Sequence, residues 1–71
     1  KSIVSEVSGR VVEVLVGAGE VVGEGRELLV VESMKMEIPV TAPSPGTIEA
    51  LHVTAGDAVE PGTLLARLRP A

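Results

Sequence analysis

Lysine is scarce in this chain of 71 residues: Lys35 is the only internal one, and the other is the first residue, Lys1. The only two methionines, Met34 and Met36, stand on either side of it, within Glu32-Ser33-Met34-Lys35-Met36-Glu37 near the midpoint. A primary amine on a long flexible stem is a nucleophile in its neutral form and a common target of acylation. Two soft apolar thioethers beside it add a surface that a second protein can read. The chemistry on offer is therefore modification of Lys35 by another enzyme, with Met34 and Met36 as the flanking recognition surface. Glu32, Ser33 and Glu37 make the polar rim of the turn. The competing reading is a solvated turn lysine between solvated strand-end carboxylates, and it predicts no modification.

Other chemistries lack their residues. His52 is the only histidine and there is no cysteine, so no metal cluster is expected. Asp57, the only aspartate, occupies a turn position that Glu20 fills elsewhere in the chain, so no Ser/His/Asp set forms and no catalytic residue is expected. Gly17-Ala18-Gly19 and Gly23-Glu24-Gly25 have the composition of phosphate loops, but no amphipathic helix follows either. With a net charge of −4, no basic cluster and no aromatic residue, nucleic acid is a poor partner. The apolar runs fall far short of the ~20 residues that span a bilayer, and no secretory apolar region opens the chain. No membrane partner is expected, and the expectation is a soluble, cytoplasmic protein.

The elements that must hold the lysine are legible from an internal repeat. A shift of 37 positions lays Ser8–Val31 over Pro45–Leu68 without a gap, and seven of the 24 pairs are identical: Gly9/Gly46, Val16/Val53, Ala18/Ala55, Gly19/Gly56, Val22/Val59, Gly25/Gly62 and Leu28/Leu65. Val11/Ile48, Val14/Leu51, Glu20/Asp57 and Val31/Leu68 are conservative. Two copies of one unit, each too small to bury its own apolar face, cover one another about a pseudo-two-fold axis. The apolar content comes from Val, Leu, Ile and Ala, which together with eight glycines and five prolines favours short strands and tight turns. The expected fold is therefore all-β: residues 1–71 form one domain, a flattened barrel or sandwich of two small antiparallel sheets.

Strands are expected at Arg10–Val16 and Thr47–Val53, and again at Glu27–Glu32 and Thr63–Arg69. Gly19 and Gly56 supply positive φ, and Pro61-Gly62 signals a type II turn. The shared apolar positions 11, 14 and 16 do not alternate strictly, which a bulge explains. The expected core is Val11, Val14, Val16, Val22, Leu28, Val31, Ile48, Leu51, Val53, Val59, Leu65 and Leu68. Ser33-Met34-Lys35-Met36 becomes a hairpin tip between Val30-Val31-Glu32 and Glu37-Ile38-Pro39-Val40. Because Met34 shifted by 37 lands on Ala71, the termini lie at one pole and Lys35 at the other.

The run Val31-Glu32-Ser33-Met34-Lys35-Met36-Glu37 resembles the attachment signature of biotinyl domains, Met-Lys-Met with an acidic residue shortly before it. The surrounding repeat, Gly…Ala-Gly-(Glu/Asp)-x-Val-x-x-Gly-x-x-Leu, is similar to the half-motif that biotinyl and lipoyl domains share, and it covers essentially the whole chain. Lipoyl domains usually carry an acidic residue just before the lysine, whereas here Met stands on both sides. Ser33 stands where many members have Ala, and Glu6-Val7-Ser8-Gly9 departs from the family's usual first turn, which Pro43-Ser44-Pro45-Gly46 keeps.

The resemblance implies a non-catalytic biotin carboxyl carrier, with biotin joined covalently to Lys35 by a biotin protein ligase. Biotin carboxylase would then load the group, and a carboxyltransferase would unload it to its acceptor. Some family members insert a thumb in the first half that contacts biotin; the gap-free register leaves no room for one, so the biotin arm is expected to be mobile. The rival readings are a lipoyl carrier of a 2-oxo acid dehydrogenase or glycine cleavage system, and an unmodified adaptor β-domain.

Overall fold

The computed structural model, which describes residues 1–71, forms its strands mainly where Val, Ile and Leu crowd between glycine turns. The strands are β1 (Ser2–Val4), β2 (Gly9–Val14), β3 (Val21–Val22), β4 (Glu27–Ser33), β5 (Met36–Thr41), β6 (Gly46–Leu51), β7 (Ala58–Val59) and β8 (Leu64–Pro70), with no helix. They build two four-stranded antiparallel sheets, ordered β1-β8-β6-β3 and β5-β4-β2-β7. The 37-residue shift carries β1–β4 onto β5–β8 and one sheet onto the other.

The expected strand at Arg10–Val16 stops at Val14, and its mate stops at Leu51 rather than Val53. Beyond Val14 the chain leaves its sheet and crosses to the opposite one, where Gly19 N–H donates to the Ile48 carbonyl at 2.7 Å. Val16 and Val53 are still buried, as crossing residues. The broken alternation is a bulge: pairing slips between Val11 and Glu13, and at the repeat-equivalent place between Ile48 and Ala50. Val14 and Leu51, expected in the core, are only half-buried just past these bulges. Gly62 has φ 91°, and Thr63 N–H donates to the Glu60 carbonyl at 2.9 Å, which closes the type II turn at Pro61-Gly62.

The core falls into two clusters, one per pole, and each draws on both copies. Val11, Leu29 and Val31 pack with Val53, Val59 and Leu65. Val16, Val22 and Leu28 pack with Ile48, Ala66 and Leu68, joined by Ile3 and Ala42. Under the 37-residue shift the first set maps onto the second. A half-chain would leave half of each cluster in water, so the copies fold only together. The first cluster contains the end of β4 and the start of β8; the second contains the start of β4 and the end of β8. The β4–β5 hairpin and the chain termini therefore lie at opposite ends of a body measuring 34 × 18 × 17 Å.

Candidate functional site

The lysine hairpin is fixed from below. Val31 pairs with Ile38, Glu32 with Glu37 and Ser33 with Met36, and Val31 is fully buried. That register leaves two residues, Met34 and Lys35, to reverse the chain. Two-residue hairpins whose turn matches the right-handed strand twist need positive φ at both central positions, which is why Asn-Gly is the favoured pair. Here Met34 has φ 53° and Lys35 has φ 66°, and they are the only non-glycine residues in the chain on that side of the map. Neither has glycine's freedom or a short polar side chain that compensates locally, so the turn is held against local preference by the paired strands beneath it.

Replacing the pair with its preferred residues tests this. The Met34→Asn, Lys35→Gly protein is expected to gain about 1–2 kcal/mol of stability, from relief of left-handed strain. Urea unfolding would read it as a higher midpoint at unchanged slope. An unchanged or lower midpoint would mean that the turn carries no strain.

The hairpin brings all six sequence-predicted residues to one pole. Lys35 is exposed, with no ion pair and no side-chain hydrogen bond. Met34 is 89% exposed and Met36 60%, so neither thioether fills the core. Glu32 and Glu37 are exposed and directly opposed, and Ser33 is half-buried at the root of the turn. An amine so placed is open to solvent, and the two carboxylates beside it are not bound to it.

Two supporting residues were not singled out for the site by sequence reasoning. Arg10 lies opposite Glu32 on β2, which puts a cationic residue in register with the opposed Glu32–Glu37 pair across β4 and β5, although it forms no ion pair with either carboxylate. Gly9 stands beside the same register position: a Cβ there would run into the Glu32 carbonyl oxygen, and Val31 Cγ1 would lie at 3.0 Å. The signal for Gly9 was its identity with Gly46 in the repeat, where an added Cβ would meet the Arg69 carbonyl in the same way. Arg10 gave no such signal, because its partner becomes visible only once the bulge sets the register. Farther along the same end, Ser8 Oγ donates to Glu60 Oε1 at 2.8 Å and ties the entry of β2 to the turn before β8.

Comparison with known proteins places this geometry among relatives. The family model described as "Biotin-requiring enzyme" matches residues 2–68. A "Biotinylated protein TB7.3 homolog" of Mycobacterium leprae is 42% identical over 62 residues, which is 87% of this chain and 87% of that one. The mitochondrial propionyl-CoA carboxylase alpha chain of Homo sapiens is 45% identical over 64 residues, 90% of this chain but only 9% of the relative. Among solved structures, the urea carboxylase of Kluyveromyces lactis superposes with a TM-score of 0.91 at 30% identity, over 97% of this chain and 6% of that one. The chain thus spans less than a tenth of the two large carboxylases and most of the small biotinylated protein.

Proposed function

The chain belongs to the biotin-requiring enzyme family, in which biotin is the cofactor of its carrier relatives, and from that membership we propose that it is a biotin carboxyl carrier whose Lys35 bears the group. The observation that carries the reading is the exposed, unpaired amine at the apex of a two-residue turn, flanked by two exposed thioethers. The domain has no catalytic constellation of its own. Its part is to present one amine and to hold the arm built on it clear of the scaffold.

In the attachment step, the neutral Lys35 Nζ attacks the carbonyl of biotinyl-AMP supplied by a biotin protein ligase. An amide bond forms, the bond from acyl carbon to phosphate oxygen breaks, AMP leaves, and the amine gives up its proton. Once attached, biotin supplies a ureido nitrogen on which a carboxyl group travels. Met34 and Met36 offer the apolar contact, and Glu32 and Glu37 the polar rim, for the ligase and then for the biotin carboxylase and carboxyltransferase. Tethering to a stiff turn keeps the arm at high effective concentration near both active sites, so that weak docking at each suffices. A mobile arm is supported by the match of β1–β4 to β5–β8 element for element, with no extra element in either half that would cover the tip. The proposed setting is the cytoplasm, where a ligase draws on ATP.

Lipoyl attachment is the less favoured reading, since the matching family model is described as biotin-requiring, the small relative covered over most of its length is named as biotinylated, and Met stands on both sides of the lysine. Incubation with a biotin ligase, ATP and biotin is expected to add one biotinyl group by intact mass, and incubation with a lipoate ligase is expected to add nothing. The reverse pattern would replace the proposal with a lipoyl carrier, and no addition from either would leave the unmodified adaptor.

A further inference from the structure

We propose that Met34 and Met36 form a peroxide-sensitive site, and that their oxidation to sulfoxides slows the modification of Lys35. This rests on the carrier reading and adds to it a control by the oxidation state of two sulfurs. The chain has no cysteine, tryptophan or tyrosine, and no methionine besides these two, so nothing else in it competes strongly for a two-electron oxidant. Both methionines are immediate chain neighbours of Lys35. At 89% and 60% exposure they lack the burial that protects core methionines from oxidants. Positive φ at Met34 and a two-residue turn keep the first of them at the apex, where it has no core to fold into.

The step balances with hydrogen peroxide as the oxidant. A lone pair on Sδ attacks one peroxide oxygen and the O–O bond breaks. The departing hydroxide takes up the proton released from the transferred oxygen, and water forms. Sulfur loses two electrons and the peroxide gains them. The reverse needs a dithiol reductant: the sulfoxide oxygen leaves as water and the dithiol becomes a disulfide. Each forward step turns an apolar, polarizable contact into a strong dipole beside Lys35. A partner whose apolar pocket accepts the thioether must then bury that dipole unpaired, or dock without it.

The scaffold is not at stake, because neither methionine belongs to either core cluster. Oxidation is therefore expected to leave the thermal midpoint unchanged while slowing docking. That separation distinguishes a surface switch from general damage.

The test treats the whole chain with hydrogen peroxide, removes the oxidant by desalting, confirms two added oxygens by intact mass, and follows biotin uptake with a biotin protein ligase, ATP and biotin. The expected result is a fall of about tenfold in the uptake rate, the scale of burying one polar dipole without a partner. A methionine sulfoxide reductase should restore the rate. The double variant Met34→Leu, Met36→Leu, treated identically, should show no change on peroxide exposure. An oxidised wild type that is modified as fast as the reduced protein would overturn the proposal. So would equal slowing in the double variant, since no thioether is left there to oxidise. If reduced wild type takes up no biotin at all, the carrier reading itself has failed, and the control goes with it.

Discussion

The Lys35→Arg protein is expected to take up no biotin under conditions in which the wild type is modified to completion. A guanidinium keeps the positive charge and the long apolar stem, so the turn, its solubility and its ion atmosphere are nearly preserved. What it cannot offer is a neutral amine, because arginine stays protonated at any pH at which the protein is folded. The scaffold is indifferent to the change, since Lys35 makes no ion pair and no side-chain hydrogen bond that an arginine would have to replace. Its thermal midpoint should lie within about 2 °C of wild type, as expected of an exposed substitution worth under ~0.5 kcal/mol.

The contrast would be read by intact mass and again by charge. Wild type loses the one positive charge of Lys35 on acylation, moving from −4 to −5, while the variant stays at −4. Residual biotin on the variant would have to sit at Lys1, the only other lysine, whose α-ammonium donates to the Leu68 carbonyl at 2.7 Å at the opposite pole. That result would refute the assignment of the hairpin as the attachment site. Peptide mapping would show it directly.

Gly9→Ala and Gly46→Ala are expected to be the most destabilising single-methyl additions in the chain, at about 2–3 kcal/mol each. In both, the new Cβ meets a main-chain carbonyl of the neighbouring strand, Glu32 or Arg69, and a carbonyl in a paired ladder cannot rotate aside as a side chain could. Against a total of roughly 4–10 kcal/mol for a domain of this size, that is a large fraction. The midpoint should drop by about 10–20 °C. Gly17→Ala is the control: nothing lies within 4 Å of its added methyl, and its effect should be small.

The pair also separates stability from presentation. Gly9 lies under the root of the lysine hairpin, whereas Gly46 occupies the repeat-equivalent place beside Pro70 at the pole of the termini. At a temperature where both variants remain folded, Gly9→Ala should slow biotin uptake because β4 is pushed away from β2 just below the turn. Gly46→Ala should leave uptake at the wild-type rate. Equal rates for the two would mean that the hairpin root does not set how the amine is offered.

Much of this molecule was legible in its residues because the repeat supplies a second reading of each position. Ten of the twelve residues shared as apolar by the two copies are buried as expected. Val14 and Leu51 were misjudged because a bulge changes which way the next side chain faces, and apolarity alone does not locate a bulge. Ile3, Leu29, Val30, Ala42 and Ala66 are buried without having been expected. Their repeat partners are Val40, Ala66, Arg67, Ser5 and Leu29, so in most of these pairs a small or polar residue hid the match. β1 was overlooked for a plainer reason: its three residues acquire strand structure only by pairing with β8, sixty residues away in the chain.

Composition, the 37-residue repeat and the lone flanked lysine determined, from the sequence by itself, an all-β doubled scaffold with one flanked, exposed lysine at the pole away from the termini. Those features are local or repeated, and the periodicity of apolar residues records them directly. The left-handed backbone at Met34 and Lys35, the Arg10–Glu32–Glu37 row and the close passage of Gly9 under β4 came only from the tertiary structure. Each depends on strand register, and register is set by which distant residues meet across a sheet, a choice made by the packing of both copies at once.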